Sequence, residues 1–180
     1  MILSLSACSK VEITMQEIYD ANQIETLLKN HKSIYIQEVI YGEVWGEIYL
    51  TKDYVYNYIP DEESDWLEFI TDDVSYYYID SDCVRCVPIA PDGVSDFASL
   101  RAERSASSAL IADALDYTIK SASEKDGRIT VKAFLGQDIL DEKWEEFGLT
   151  SAKLEYVLDA KTHEIISLIS DYTYDDGTSI

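Results

Sequence analysis

Between Ser33 and Ile89 six strand-like runs follow one another with almost nothing between them. Ser33–Tyr41, Glu43–Thr51, Tyr54–Ile59, Asp65–Thr71, Val74–Ile79 and Cys83–Ile89 are rich in Ile, Val, Tyr and Trp, the residues that suit a pleated surface. The breaks fall at Gly42-Glu43, Lys52-Asp53, Pro60 to Ser64, Asp72-Asp73 and Asp80-Ser81-Asp82. A parallel pair needs a crossover of about a dozen residues or more, so runs joined this tightly pair antiparallel. The spacing therefore predicts a six-strand meander.

Flanking segments add helices and further strands. Ser9 to Thr14 is short and polar and reads as a flexible tether. Over Met15–Lys32, Ile18, Ala21, Ile24, Leu27 and Leu28 recur at helical spacing, which predicts one helix. Thr14 with Glu17 three residues later forms a capping-box pattern at its start. After the meander, Val94 to about Asp113 turns to Ala, Ser and Leu and is expected to form one or two short helices. Leu115–Ser121 and Arg128–Leu135 flank Glu124-Lys125-Asp126-Gly127, a hairpin with Asp-Gly at its turn. Asp138–Phe147 reads as a helix closed by Gly148. Two last strands, Ala152–Asp159 and Glu164–Tyr174, share the turn Ala160 to His163. Asp175-Asp176-Gly177 is a turn signal followed by only three residues, so a partner strand is expected beyond the last of them. At 180 residues the reading is one α+β domain over 15–180, with residues 1–14 outside it. Its architecture is expected to be a curved antiparallel sheet of about ten strands with helices on one face.

Alternation in the first strands is unusual on both faces. Even positions give Ile34, Ile36, Ile40, Val44, Ile48 and Leu50; odd positions give Tyr35, Val39, Tyr41, Trp45 and Tyr49. A meander with one wet face would carry polar residues on the second set. One face is thus expected to be aliphatic and covered, the other aromatic and partly exposed. Fourteen tyrosines against four phenylalanines fit that division, because Tyr combines contact area with a polar tip.

Charge and motifs narrow the function. A net charge of −21 repels phosphate, which excludes nucleic acid as a partner and argues against charge-driven docking on an anionic membrane. No run of 18 apolar residues is present. The sequence contains no GxSxG, HExxH, P-loop or GxGxxG motif and only two histidines, His31 and His163. No catalytic residue, cofactor or metal site is expected on that basis. Cys83-Val-Arg-Cys86 lies in strand or turn sequence beside acidic residues, where thioredoxin-type chemistry would need a helix N-terminus and zinc a second ligand pair. A structural disulfide between Cys83 and Cys86, or two inert thiols, is the expectation; residues three apart on a regular strand face opposite ways, so a bridge needs a bend. The carboxylates of Asp61, Glu62, Glu63, Asp65, Asp72, Asp73, Asp175 and Asp176 gather at turns and read as solvated, with clustered oxygens for calcium as the alternative.

Leu5-Ser6-Ala7-Cys8 resembles the lipobox of bacterial lipoproteins, and Met1 to Ser4 reads as the tail of an apolar signal segment. That resemblance implies cleavage before Cys8, a diacylglycerol on its thiol, and attachment to the outer face of the cell membrane through the acyl anchor. The overall layout, with Tyr156 to Ser167 and Tyr172 to Gly177 as closing strands, resembles the LolA/LppX-like half-barrel superfamily of lipoproteins and lipoprotein carriers, and within it uncharacterised Gram-positive lipoproteins. The resemblance implies a half-barrel with helices on its concave face, sometimes enclosing a cavity for acyl chains, and no catalytic residues. Ile34, Ile36, Ile48, Leu50, Val55 and Ile59 are the expected lining of an amphiphile or lipid site. The rival expectations are a protein-interaction module using the Tyr-rich face and a cell-wall hydrolase using paired carboxylates.

Overall fold

The computed structural model describes residues 9–60, 66–71, 74–79, 82–88, 111 and 114–180. Cys8, the acidic turn 61–65 and nearly all of the expected helical segment after the meander lie outside the described residues. Antiparallel sheet dominates, in two separate sheets accompanied by short helices, so the class is α+β. Among the described residues the expected single sheet of about ten strands is instead one of five strands and one of six. By contacts the chain divides into two compact units, rather than the one expected over 15–180. Unit 1 holds residues 1–23 and 113–180; unit 2, residues 24–112, interrupts it in sequence.

The expected helix over Met15–Lys32 is two helices, and the break coincides with the unit boundary. α1 (Met15–Ala21) belongs to unit 1 and α2 (Ile24–Asn30) to unit 2. The capping box at Thr14 forms as expected: Glu17 N donates to Thr14 Oγ1 at 3.1 Å and Thr14 N donates to Glu17 Oε2 at 2.8 Å. What ends α1 is Asn22. Its backbone N–H donates back to Ile18 and Tyr19 oxygens. Its buried side chain donates to Ile18 O (2.7 Å) and His163 O (3.0 Å) and accepts from Ile165 N (2.8 Å). A short amide that finds backbone partners competes with helix propagation, and helical periodicity alone does not register it.

In unit 1 the sheet runs β1-β8-β9-β10-β11, every neighbour antiparallel. Its strands are β1 (Ser9–Lys10), β8 (Tyr117–Lys125), β9 (Arg128–Leu135), β10 (Leu149–Asp159) and β11 (Ile165–Tyr174). The expected tether is therefore built in: Ser9 and Lys10 pair with Glu124 and Ser123, Val11 N donates to Ala122 O, and Ile13 is buried. β8 and β9 meet at Asp126-Gly127, both with positive φ (52° and 76°), the two-residue turn whose twist matches a hairpin. From Ala152 onward β10 alternates between Ala152, Leu154, Tyr156 and Leu158, all buried, and less buried residues between them. With Ile18 of α1 and Ile129, Val131 and Ala133 of β9 these form the unit's core. α3 (Gln137–Phe147) ends at Gly148, φ 73°, as expected; a Cβ there would stand 2.8 Å from Asp175 Oδ1. The turn at Asp175 to Gly177 does find a partner, because the chain folds back and Ile180 pairs with Tyr172 through both backbone bonds (2.8 and 3.0 Å).

In unit 2 the meander forms in sequence order, β2 (Ser33–Ile40), β3 (Glu43–Thr51), β4 (Tyr54–Ile59), β5 (Trp66–Thr71), β6 (Val74–Ile79) and β7 (Asp82–Pro88). Two of its turns use the same device. Tyr54 N donates to Thr51 Oγ1 (3.0 Å) and Val74 N to Thr71 Oγ1 (3.2 Å), while each threonine hydroxyl donates to the carbonyl of the same partner. These hydroxyls satisfy the turn and hold the register of the strands on either side.

Candidate functional site

Register divides the unit 2 sheet into the two faces expected from alternation. One face carries the rows Ile34–Leu50–Val55–Ile70 and Ile36–Ile48–Asn57–Glu68. Leu50 and Val55 are fully buried, Ile48 and Ile70 nearly so, and Ile24, Leu27 and Leu28 of α2 pack on them, with Ile34 and Ile36 partly buried at the margin. Five of the six expected lining residues are thus brought together. Ile59 is not: it lies opposite Trp66 and is 41% exposed. The five line a hydrophobic cluster already occupied by α2 side chains.

Glu68 was not among the expected site residues. It sits on this aliphatic face opposite Asn57 and Tyr77, 1% exposed, the one buried carboxylate among the described residues. Its signal in the sequence is parity: Glu68 shares the phase of Ile70 inside an otherwise apolar strand, unlike the carboxylates at turns.

On the opposite face the rings form a ladder across four strands. Tyr49 and Tyr54 are 5.9 Å apart, Tyr54 and Phe69 5.4 Å, and Phe69 and Tyr76 6.4 Å, spacings at which offset and tilted ring pairs attract. At its end Tyr35 Oη donates to Glu47 Oε1 at 2.6 Å. That bond, with a second from Gln37, holds the Glu47 carboxyl below the usual range, while the Tyr35 phenol moves up. Beyond the irregularity at Glu38/Val39 the alternation fails, and Val39, Tyr41, Val44 and Trp45 are all exposed. Val44 was expected on the covered face; the register shift, one extra residue on β3, takes it out of phase.

Cys86 stands opposite Tyr76 and is a free, exposed thiol; of the two expectations for Cys83 and Cys86 this is that of thiols rather than a disulfide. The bend a bridge would need is present as an irregularity in the β6–β7 pairing, which places Cys83 opposite Tyr78 and Cys86 opposite Tyr76. Among the described residues no group of three or more His, Cys, Asp or Glu side chains is placed to hold a metal ion. Asp176 is used by its own turn: bonds from Thr178, including its backbone N–H at 2.8 Å, lower the carboxyl's pKa. His163 adopts φ 60° in the β10–β11 turn, where its carbonyl receives Asn22. Asp159 closes the same turn, accepting from the backbone of Lys161 and Thr162, and these bonds lower its pKa.

No protein-family model matches the chain, and no curated protein matches it either. The geometry is therefore the ground on which function is argued. It offers an apolar cluster packed under a short helix, an aromatic outer face, and turn carboxylates engaged with backbone. No described helix is long and apolar enough to cross a membrane.

Proposed function

We propose that this chain is a lipoprotein held on the outer face of the cell membrane by acylation of Cys8, with a non-catalytic role in binding an amphiphile or lipid. The anchor rests on the Leu5-Ser6-Ala7-Cys8 match. The binding role rests on the aliphatic face of unit 2. α2 is a single pair of turns that presents Ile24, Leu27 and Leu28 to the sheet. Exchanging those side chains for an acyl chain replaces one apolar contact with another, so the cost of displacement is small beside the burial gained, about 0.8 kcal/mol per methylene. The half-barrel with helices on a concave face, which the superfamily resemblance implies, belongs to the same proposal.

Native mass spectrometry of the purified chain, with displacement of a fluorescent fatty-acid probe, tests the binding role. Co-purified lipid and saturable displacement are expected; neither lipid nor displacement overturns it. For the anchor, expression with the gene's upstream region in a Gram-positive host should place the protein in the membrane fraction after a high-salt wash. If Cys8→Ser stays there after the same wash, the anchor assignment is wrong.

A second reading has its own observation. The ladder from Tyr49 to Tyr76 is a broad amphipathic surface of the kind protein-binding sites use, so unit 2 is alternatively an interaction module. Replacing Tyr35 and Tyr56 by Ser should leave fatty-acid displacement unchanged under the first reading.

A further inference from the structure

The solvent-facing side of the unit 1 sheet inverts the charge of the chain as a whole. Register places Lys10, Lys125, Arg128, Lys132 and Lys153 there, and Lys120, at the irregularity in β8, reaches the same face over Phe134, against three carboxylates of that face, Glu155, Asp159 and Asp171. The chain holds only 14 Lys and Arg in all, beside 35 Asp and Glu. The carboxylates do not cancel this face. Lys132 Nζ to Glu155 Oε2 is 2.9 Å and Lys153 Nζ to Asp171 Oδ2 is 3.4 Å, but all four side chains are about 40–60% exposed. Exposed pairs of that kind are weak and exchange readily for another anion. Lys120 extends over the Phe134 ring at 4.8 Å. Lys132, Phe134, Lys153, Glu155, Ile169 and Asp171 border a shallow groove of about 300 Å³.

The N-terminal edge of the sheet says what faces it. β1 begins at Ser9, the residue after Cys8, and Lys10 is already on the cationic face. One residue spans at most about 3.6 Å, so an acyl group on Cys8 would hold this edge of the sheet at the headgroups with no tether between. We infer that the cationic face of unit 1 lies against the anionic headgroups of the membrane in which the acyl chain is embedded. The inference rests on the proposed acylation of Cys8 for its geometry, though not for its charge. Screening makes it compatible with a net charge of −21: at physiological ionic strength charges beyond about 8 Å are largely screened, so headgroups respond to the nearest face.

The test uses the unacylated chain carrying Cys8→Ser, so that binding by the face is read separately from the anchor. Flotation with vesicles of equal parts phosphatidylglycerol and phosphatidylcholine should recover the protein at low salt, while pure phosphatidylcholine vesicles and high salt should not. The triple change Lys10→Gln, Lys120→Gln, Lys132→Gln should weaken binding at least tenfold, since each cation near such a surface is worth about fivefold. Lys29→Gln, Lys32→Gln, Lys52→Gln alters net charge equally in unit 2 and should change binding less than twofold. Circular dichroism checks that both variants fold. Equal binding by the two triples, equal binding to phosphatidylcholine, or no flotation at all overturns the inference. So does a concentration-dependent dimer that the first triple abolishes, which would make a second copy the occupant. Binding of soluble polyphosphate without vesicle binding overturns it in favour of a soluble polyanion. None of these results touches the acylation of Cys8, which membrane fractionation after high-salt washing decides.

Discussion

Units 1 and 2 solve the same problem and finish it differently. Each lays a two-turn helix by an antiparallel sheet whose inner residues are aliphatic. In unit 1 the outer positions are mostly Lys, Thr, Ser and acidic residues, with Val157, Phe134 and Ile169 among them, so a one-residue slip of β10 would bury charge. In unit 2 the outer positions are mostly Tyr and Phe, with Gln37 and Glu47 at one end, and over most of the sheet a slip would exchange one apolar face for another. Register there depends on turn chemistry, which Thr51 and Thr71 supply. Burial alone therefore specifies unit 1, while unit 2 needs its hairpins as well.

The largest expected effects are in the cores and should be alike. Leu50→Ala in unit 2 and Leu158→Ala in unit 1, both fully buried, should each cost about 2–5 kcal/mol in denaturant unfolding. A marked deficit at Leu50 would mean that the cluster under α2 is loosely packed, which sharpens the amphiphile reading. Asn22→Ala comes next. It removes the partners of a partly buried carbonyl and a partly buried N–H in unit 1, at a cost of about 1–3 kcal/mol, with Leu27 and Leu28 contacts in unit 2 unaffected.

Thr71→Ala separates the units more finely. Losing the turn hydroxyl should cost about 1 kcal/mol, and in unit 2 it should also broaden strand register, visible as reduced amide protection along β5 and β6. An unchanged exchange pattern would show that the ring ladder sets register unaided. Tyr156→Phe is the smallest. Tyr156 is fully buried and its hydroxyl finds no hydrogen-bond partner among the described residues, so Phe should be neutral or stabilising by up to about 1 kcal/mol. Burial, with a lesser contribution from Tyr172, pushes the Tyr156 phenol up to about 12. The unfolded phenol ionises near 10 while the folded one keeps its proton, so Tyr156 lowers stability progressively between about pH 10 and about 12. Tyr156→Phe should remove that part of the alkaline loss.

Much of this was legible in the residues. Short links forced the antiparallel meander, Asp126-Gly127 and Gly148 marked a turn and a helix end, and parity separated aliphatic from aromatic faces. What was hidden shares a cause, partners distant in sequence. Asn22 splits the helix because His163 and Ile165 stand 141 and 143 residues away. Ser9 and Lys10 become a strand because β8 offers an edge, and the cationic face exists only once four strands have paired. At the candidate site, five of six residues assembled from parity alone, whereas Ile59 and Val44 depended on strand ends and a register shift that no local pattern encodes.

The most direct measurement is the mass of the N-terminal peptide from chain produced in a Gram-positive host behind its own upstream sequence. A peptide beginning at Cys8 and carrying a thioether-linked diacylglycerol is the predicted result. A peptide in which Cys8 is internal and its thiol unmodified would contradict the account.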